Sequence, residues 1–336
     1  MKAAVCEAFG KPLVLKEVPE PTVGPDEVLI RMKGCGVCHS DLHLVDGDWK
    51  DWGTPLPIIP GHEVTGVVEK VGDQVTGLKP GDPVGVPWMQ YACGQCPACR
   101  SGAEMLCAVQ KSTGVTVHGG YAERVKAPAA FTHRIPDGLD LIDAAPLLCA
   151  GITMFSPLRH AGNLAGKTVA VAGIGGLGHL GIRMAAAMGA HVVAVTRGED
   201  KKAMAHELGA HEVIDSEKEK AGNQLARMGG AYLILLTGIS ARLFEDCIAG
   251  LGPNGTLVVL AAIAEPAKVI PAALLVGQKK IEGSIIGTRD DMDAMLSFAA
   301  DHGIAPIVER HPLKTVNDVL DRMRQGKIRL RAVLTP

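Results

Sequence analysis

The spacing of apolar positions changes partway along the chain. Up to about Cys149 they fall in short runs, at residues 1–6, 27–33, 62–71, 83–86 and 121–127, divided by Gly and Pro. Runs of this length between turn formers predict a partly antiparallel β domain. After Gly151 the pattern becomes an apolar run, a glycine turn, a long helical stretch and another apolar run. Strands are expected at 168–172, 191–196, 212–214, 232–236 and 256–260, with helices at 177–188, 201–208 and 243–251. That alternation is the mark of βαβ units and a parallel sheet covered by helices. From about Gly287 the chain offers a helix at 290–302, a strand at 307–311, a helix at 316–325 and a strand at 332–334, expected to rejoin the first domain. The fold class is α/β: a doubly wound parallel-sheet domain at 151–286 and a β-rich domain built from 1–150 and 287–336.

Composition narrows the function classes. With 336 residues, two domains of about 150 residues each are expected. Hydrophobic residues make up 47% and charged residues 21%, which suits a folded globular chain. The net charge of −2 leaves no basic field to hold nucleic acid or an anionic membrane. The apolar stretch 168–195 is broken by His179, Arg183 and His191, and 256–264 is too short to cross a bilayer, so no membrane span is expected. The charged first twenty residues do not read as a secretory signal, and a cytoplasmic location is expected. In that setting an odd count of nine cysteines favours metal ligation or burial over disulfides.

Cys93, Cys96 and Cys99 are each separated by two residues, and Cys107 follows seven residues beyond Cys99. Such gaps let four thiolates converge on one ion, filling a zinc tetrahedron and leaving no position for substrate. A structural zinc is expected; four free thiols or an iron–sulfur cluster are the alternatives, the latter less suited to the fourth gap. Cys6, Cys35 and Cys247 have no ligand-like spacing and are read as buried small apolar groups.

Gly173, Gly175 and Gly178 form a Gly-x-Gly-x-x-Gly turn between the strand 168–172 and a helix. Placed there, it supplies a tight turn, close backbone approach to a pyrophosphate and a helix amino terminus facing the anion, hence a dinucleotide site, which makes the domain at 151–286 a Rossmann domain. The next strand ends Val195-Thr196-Arg197, without the carboxylate that would bind both ribose hydroxyls of NAD. Arg197 and Lys201 instead suit a 2′-phosphate, so NADP is expected. Glu199 and Asp200 lie near enough to keep NAD as the alternative.

Gly61-His62-Glu63, followed by Gly66, Gly72 and Val75, resembles the zinc alcohol dehydrogenase signature of the medium-chain dehydrogenase/reductase superfamily, and the likeness extends to the cysteine lobe, the Cys38 turn, the glycine turn and Arg331-Ala332-Val333-Leu334. The resemblance implies a GroES-like catalytic domain and two zinc ions per chain. It places the catalytic zinc on Cys38, His62 and Cys149, with Glu63 behind the metal and Asp41 fixing the His62 tautomer. A cysteine at 149 resembles alcohol dehydrogenases rather than polyol dehydrogenases, which generally carry glutamate there. Two thiolates and one imidazole leave one coordination position open, where the ion would acidify a bound hydroxyl. By the same resemblance Ser40 and His43 form a proton relay, although Ser40 also suits a cap for a helix beginning at Asp41. His39 and Arg331 correspond to pyrophosphate contacts, Thr153 to a nicotinamide contact, and Gly176 and Leu177 to further positions of the glycine turn.

Trp49, Trp52, Trp88 and Tyr91 cluster around the implied ligands in a chain poor in aromatics. Trp49 and Trp88 resemble pocket-lining positions. An aromatic wall favours a primary alcohol or aldehyde with an alkyl or aryl tail over a sugar. The function read from the chain is a zinc alcohol dehydrogenase/aldehyde reductase using NADP, in a homo-oligomer, tetramer or dimer, with no nucleic-acid or membrane partner. The alternatives are an NAD-dependent enzyme of the same kind and a catalytically silent protein on the same fold.

Overall fold

The computed structural model describes residues 1–336 and divides into two compact units, Met1–Cys149 with Thr288–Pro336, and Ala150–Gly287. The first unit opens with the hairpin of β1 (Lys2–Val5) and β2 (Val14–Glu17) and the long strand β3 (Glu27–Val37). A helix, α1 (His39–Asp46), follows at once. Then come β4 (Val64–Val71), β5 (Pro83–Val86), β6 (Met89–Tyr91), the single-turn α2 (Pro97–Arg100), β7 (Lys111–Ser112), β8 (Arg124–Pro128) and β9 (His133–Arg134). β3 is the spine of the unit: its interior residues Val28, Leu29, Ile30 and Met32 are fully buried, and it pairs antiparallel with both β4 and β8.

The second unit begins with α3 (Ala150–His160), then alternates strand and helix: β10 (Thr168–Ala172), α4 (Gly178–Ala187), β11 (His191–Thr196), α5 (Lys202–Glu207), β12 (Glu212–Asp215), α6 (Ala221–Arg227), β13 (Ala231–Leu236), α7 (Ala241–Ala249), β14 (Leu251–Val259), α8 (Pro271–Leu275) and β15 (Lys280–Gly283). The six strands are all parallel in the order β12-β11-β10-β13-β14-β15, which reverses direction beside β10. This is the doubly wound arrangement whose ligand crevice opens at the carboxyl end of the first strand. Ala170, Val193, Ile234 and Leu257 on the central strands pack with Leu225, Phe244 and Ile248 on the helices to form its core.

The last segment returns to the first unit as α9 (Arg289–Asp301), β16 (Val308–Pro312), α10 (Val316–Arg324) and β17 (Arg331–Thr335). β17 pairs with the end of β3, Ala332 opposite Val37 and Leu334 opposite Cys35. Differences from the pattern reading are local. β3 continues past Lys33 to Val37, and several elements stand where none was expected, among them β2 and β9 in the first unit and α3, α6, α8 and β15 in the second. No helix is long and apolar enough to cross a membrane.

Candidate metal centre and active site

Cys38 is the N-cap of α1, in extended backbone, so the helix starts at His39 rather than Asp41. Ser40 therefore sits inside the first turn and does not cap it. The cap is closed by Asp41, whose Oδ2 accepts the Cys38 N–H at 2.9 Å, an acidic residue stabilised near a helix amino terminus. Gly47 ends the helix with φ 87°, the left-handed cap that glycine adopts at no steric cost.

The β3–β4 ladder brings His62 to Cys38. Cys35 lies opposite Val64, and Gly36 N–H donates to Glu63 O at 3.0 Å, so His62 and Glu63 arrive beside the end of β3. Gly36 has to be glycine because a Cβ there would stand 1.7 Å from Glu63 Oε2. Cys149 follows a buried 3-10 turn, Ala145–Leu148. The ligand atoms of Cys38, His62, Glu63 and Cys149 all lie within 4.8 Å of one another.

His62 is fully buried. Its Nδ1 lies 3.2 Å from Asp41 Oδ1, while its Nε2 has no hydrogen-bond partner. An orphaned imidazole nitrogen in a dry site is costly unless something takes its lone pair. Two sulfurs and that nitrogen form a donor set suited to zinc. Burial opposes the charged imidazole, yet the Asp41 carboxylate prevails and raises the His62 pKa well above its ordinary value. The Cys38 thiol is lowered well below its usual range by the neighbouring Cys149 thiol, with His62 and Arg331 adding to the effect, while Cys149 is raised in turn.

Glu63 turns its carboxylate to Arg331, with which it forms a buried ion pair. Burial pushes its pKa up to about 6 despite that guanidinium. Arg331, read as a pyrophosphate contact, is thus engaged with Glu63, and its Nε has no partner. Ser40 Oγ lies 3.7 Å from Cys38 Sγ, and His43 Nδ1 lies 2.7 Å from Asp48 Oδ2. His39 is exposed on the same turn.

Aromatic rings wall one side. Trp88, nearly buried, meets the His62 ring edge-on at 4.9 Å, and Trp49 meets Trp88 edge-on at 5.9 Å. Trp49 stacks in turn on His43 at 5.4 Å and on Trp52 at 4.6 Å. Tyr91 lies apart, against Phe131.

The four-cysteine lobe contains no disulfide. Cys96 and Cys99 sulfurs are 3.5 Å apart and Cys93 and Cys99 sulfurs 4.0 Å apart. A zinc tetrahedron with arms of about 2.3 Å has edges of about 3.8 Å, so the cage matches the ion. N–H groups of Gln95 and Cys96 pull the Cys93 thiol down to about 6. Desolvation, followed by the Cys96 sulfur, pushes Cys99 up to about 12. The lobe is anchored by Arg289, which grips the Glu104 carboxylate at 2.9 and 3.1 Å and lies over the Phe131 ring.

In the second unit, Gly173 adopts φ 112° at the end of β10, and a Cβ on Gly178 would stand 1.9 Å from Gly173 O. A Cβ on Gly175 would meet nothing within 4 Å, which leaves the turn open to a phosphate. Gly176 and Leu177 complete the turn, and Thr153 is buried in α3. Thr196 ends β11 buried, Arg197 is exposed, and Lys201 Nζ donates to Ile174 O at 2.9 Å, inside the glycine turn. Glu199, the alternative ribose ligand, is ion-paired with Lys218.

Asp48 and Tyr121 carry no role in the sequence reading. Asp48 is one residue past a left-handed glycine, a position without motif value; Tyr121 reaches the site only through long-range packing.

The alcohol dehydrogenase GroES-like domain model matches residues 24–137, and the zinc-binding dehydrogenase model matches residues 176–301. An alcohol dehydrogenase of Geobacillus stearothermophilus is 44% identical over 335 residues, covering 99% of each chain. Among solved structures, CAD from Helicobacter pylori complexed with NADP(H) is 29% identical with a TM-score of 0.88, covering 99% of this chain and 97% of that one. Acetophenone reductase from Geotrichum candidum in complex with NAD is 28% identical with a TM-score of 0.87, covering 100% and 97%. With both family models matched and a curated relative aligned end to end, the chain belongs to the zinc-binding alcohol dehydrogenases of the medium-chain dehydrogenase/reductase superfamily.

Proposed function

We propose that the enzyme moves hydride between a primary alcohol, aliphatic or aromatic, and NADP, with Cys38, His62 and Cys149 holding a catalytic zinc. The observation that carries this reading is the convergence of the Cys38 and Cys149 sulfurs on a buried His62 nitrogen that has no hydrogen-bond partner. When bound, zinc acidifies a hydroxyl beside it and the nicotinamide accepts hydride at C4. The chain supplies the rest. Ser40, next to Cys38, accepts the hydroxyl proton as it releases its own toward His43, which in turn yields a proton to solvent. Asp48 holds the Nδ1–H of His43, which leaves Nε2 for the relay. Trp49 and Trp88 offer an apolar wall that excludes water and gives sugar hydroxyls no partner.

The first unit serves as the catalytic domain, with Cys93, Cys96, Cys99 and Cys107 holding a structural zinc, and the second as the dinucleotide domain. Gly173, Gly175, Gly176, Leu177 and Gly178 would cradle the pyrophosphate, helped by His39 and Arg331, with Thr153 toward the nicotinamide. NADP is favoured because Arg197 is exposed at the end of β11 beside Thr196, Lys201 reaches the glycine turn, and Glu199 is diverted to Lys218. The NADP(H) complex of the Helicobacter pylori relative is consistent with this; the NAD complex of acetophenone reductase supports the second reading, an NAD enzyme. A panel of aliphatic and aromatic aldehydes assayed with NADPH and with NADH tests both. Higher kcat/KM with NADPH on alkyl or aryl aldehydes is expected; a strong NADH preference replaces NADP by NAD, and no turnover with either cofactor rejects the reading.

We also read the chain as a homo-oligomer. Ile270, Leu275, Val276 and Ile285, each more than half exposed, flank β15, the edge strand of the parallel sheet. Exposed apolar groups beside an unpaired strand edge invite a second copy.

A further inference from the structure

Tyr121 is fully buried, and its hydroxyl donates to Asp41 Oδ2 at 2.9 Å. The opposite oxygen of the same carboxylate faces His62 Nδ1 at 3.2 Å and accepts the Gly61 N–H at 3.2 Å. The tyrosine is fixed independently of that bond. Its N–H donates to Pro60 O at 3.0 Å, Gly120 N–H donates to Gly61 O at 2.8 Å, and its carbonyl accepts the Ala4 N–H at 2.8 Å. Its ring lies so close under Gly61, φ 95°, that a Cβ there would stand 2.4 Å from the ring edge. One side chain thus supports the backbone of the Gly61–His62 step and, through its hydroxyl, the carboxylate that orients the imidazole.

A carboxylate in a dry site needs donors on both oxygens; with one unserved it turns toward whatever donor remains. Here Cys38 N–H and the Tyr121 hydroxyl serve Oδ2, so Oδ1 is left directed at His62. We propose that Tyr121 is a positioning residue for the catalytic metal: its hydroxyl locks the Asp41 carboxylate, and through it the ring plane and tautomer of His62, so that Nε2 faces the ion. This rests on the reading of Cys38, His62 and Cys149 as ligands. Partners at this remove from a metal typically contribute about 10-fold to 100-fold in metal affinity.

The test uses full-length protein loaded with zinc, compared with Cys38→Ser, which retains only the lobe ion. Two zincs in the parent and one in Cys38→Ser identify the catalytic ion; a parent with one zinc that Cys38→Ser keeps overturns the ligand reading and with it this proposal. Given two, Tyr121→Phe keeps the ring against Gly61 and removes only the hydroxyl. The expected result is a catalytic ion lost to a competing chelator at about 10-fold to 100-fold lower chelator concentration, with the lobe ion unchanged. Cobalt placed in the catalytic site should show a shifted ligand-field spectrum. Parent-like affinity and spectrum overturn the role of Tyr121 while leaving the ligand reading intact. Should Tyr121→Phe not fold, the three tyrosines of the chain allow a measurement with the residue in place. In protein labelled with 3-fluorotyrosine, the Tyr121 resonance should differ between the parent and Cys38→Ser while those of Tyr91 and Tyr232 coincide. A Tyr121 resonance that does not move overturns the proposal.

Discussion

Asp41 meets four groups with two oxygens: the N–H of Cys38, the N–H of Gly61, the ring of His62 and the hydroxyl of Tyr121. Two of these belong to the step that carries a ligand, and one belongs to a ligand's own backbone. A single buried carboxylate therefore ties the helix cap to the proposed ligands. Ser40 and His43 stand on the same helix, three residues apart and one face along. Ser40→Ala should lower kcat by about 10²-fold to 10⁴-fold at neutral pH while zinc content stays at the parent value, measured by steady-state kinetics and metal analysis. An unchanged kcat would remove Ser40 from the proton path. Cys38 and His62 could be singled out in the sequence only through the resemblance of the Gly61-His62-Glu63 segment to a known signature, because a lone cysteine or histidine is more often a packed residue. Tyr121 could not be, because its hydroxyl finds Asp41 across the fold and nothing in the residues around it marks a donor.

At the level of elements, the turn that delivers Cys149 depends on Asp140. Its Oδ1 accepts the N–H groups of Ile142 at 2.9 Å and Asp143 at 3.0 Å, and Arg310 on β16 donates to it at 2.9 Å. The Asp143 N–H leads in holding the Asp140 carboxyl below the ordinary carboxylate range, with Ile142 N–H and Arg310 assisting against desolvation. A carboxyl whose pKa is lowered by folding stabilises the fold above its unfolded pKa, about 3.9, and that contribution is lost as pH falls through the folded value. Asp140→Asn should therefore unfold at lower urea concentration than the parent near pH 6, with the gap narrowing as the pH falls below about 3.9; a gap independent of pH would deny the carboxylate this part. The central strands β10, β11 and β13 were legible because each is a near-continuous buried run. β15 was missed because its residues are mostly exposed and polar, as suits an edge. α3 was missed for another reason: Pro157 sits inside it and removes the N–H that would bond to Thr153, which disguises a helix as a connection.

Over the whole molecule, the division into two units follows from two kinds of hydrophobic pattern, short runs divided by turn formers in one and runs separated by long helical stretches in the other. The order of the six parallel strands places the glycine turn where the sheet changes winding, the end at which doubly wound sheets open their ligand crevice. Assembly was less legible, since an exposed apolar residue in a sequence looks the same as a buried one. The apolar group beside β15 makes the prediction: Leu275→Glu combined with Val276→Lys should reduce the mass measured by light scattering from that of an oligomer to a smaller species. A mass that matches the parent oligomer would move the interface elsewhere.

The tryptophan wall has an optical consequence. All three tryptophans of the chain belong to it, in contact with one another and, through Trp88, with His62. Intrinsic emission excited at the indole band therefore originates from this corner alone, and the exposed face of Trp52 opens it to solvent quenchers. The protein carries its own unlabelled reporter of events beside the imidazole, undiluted by signal from any other part of the chain.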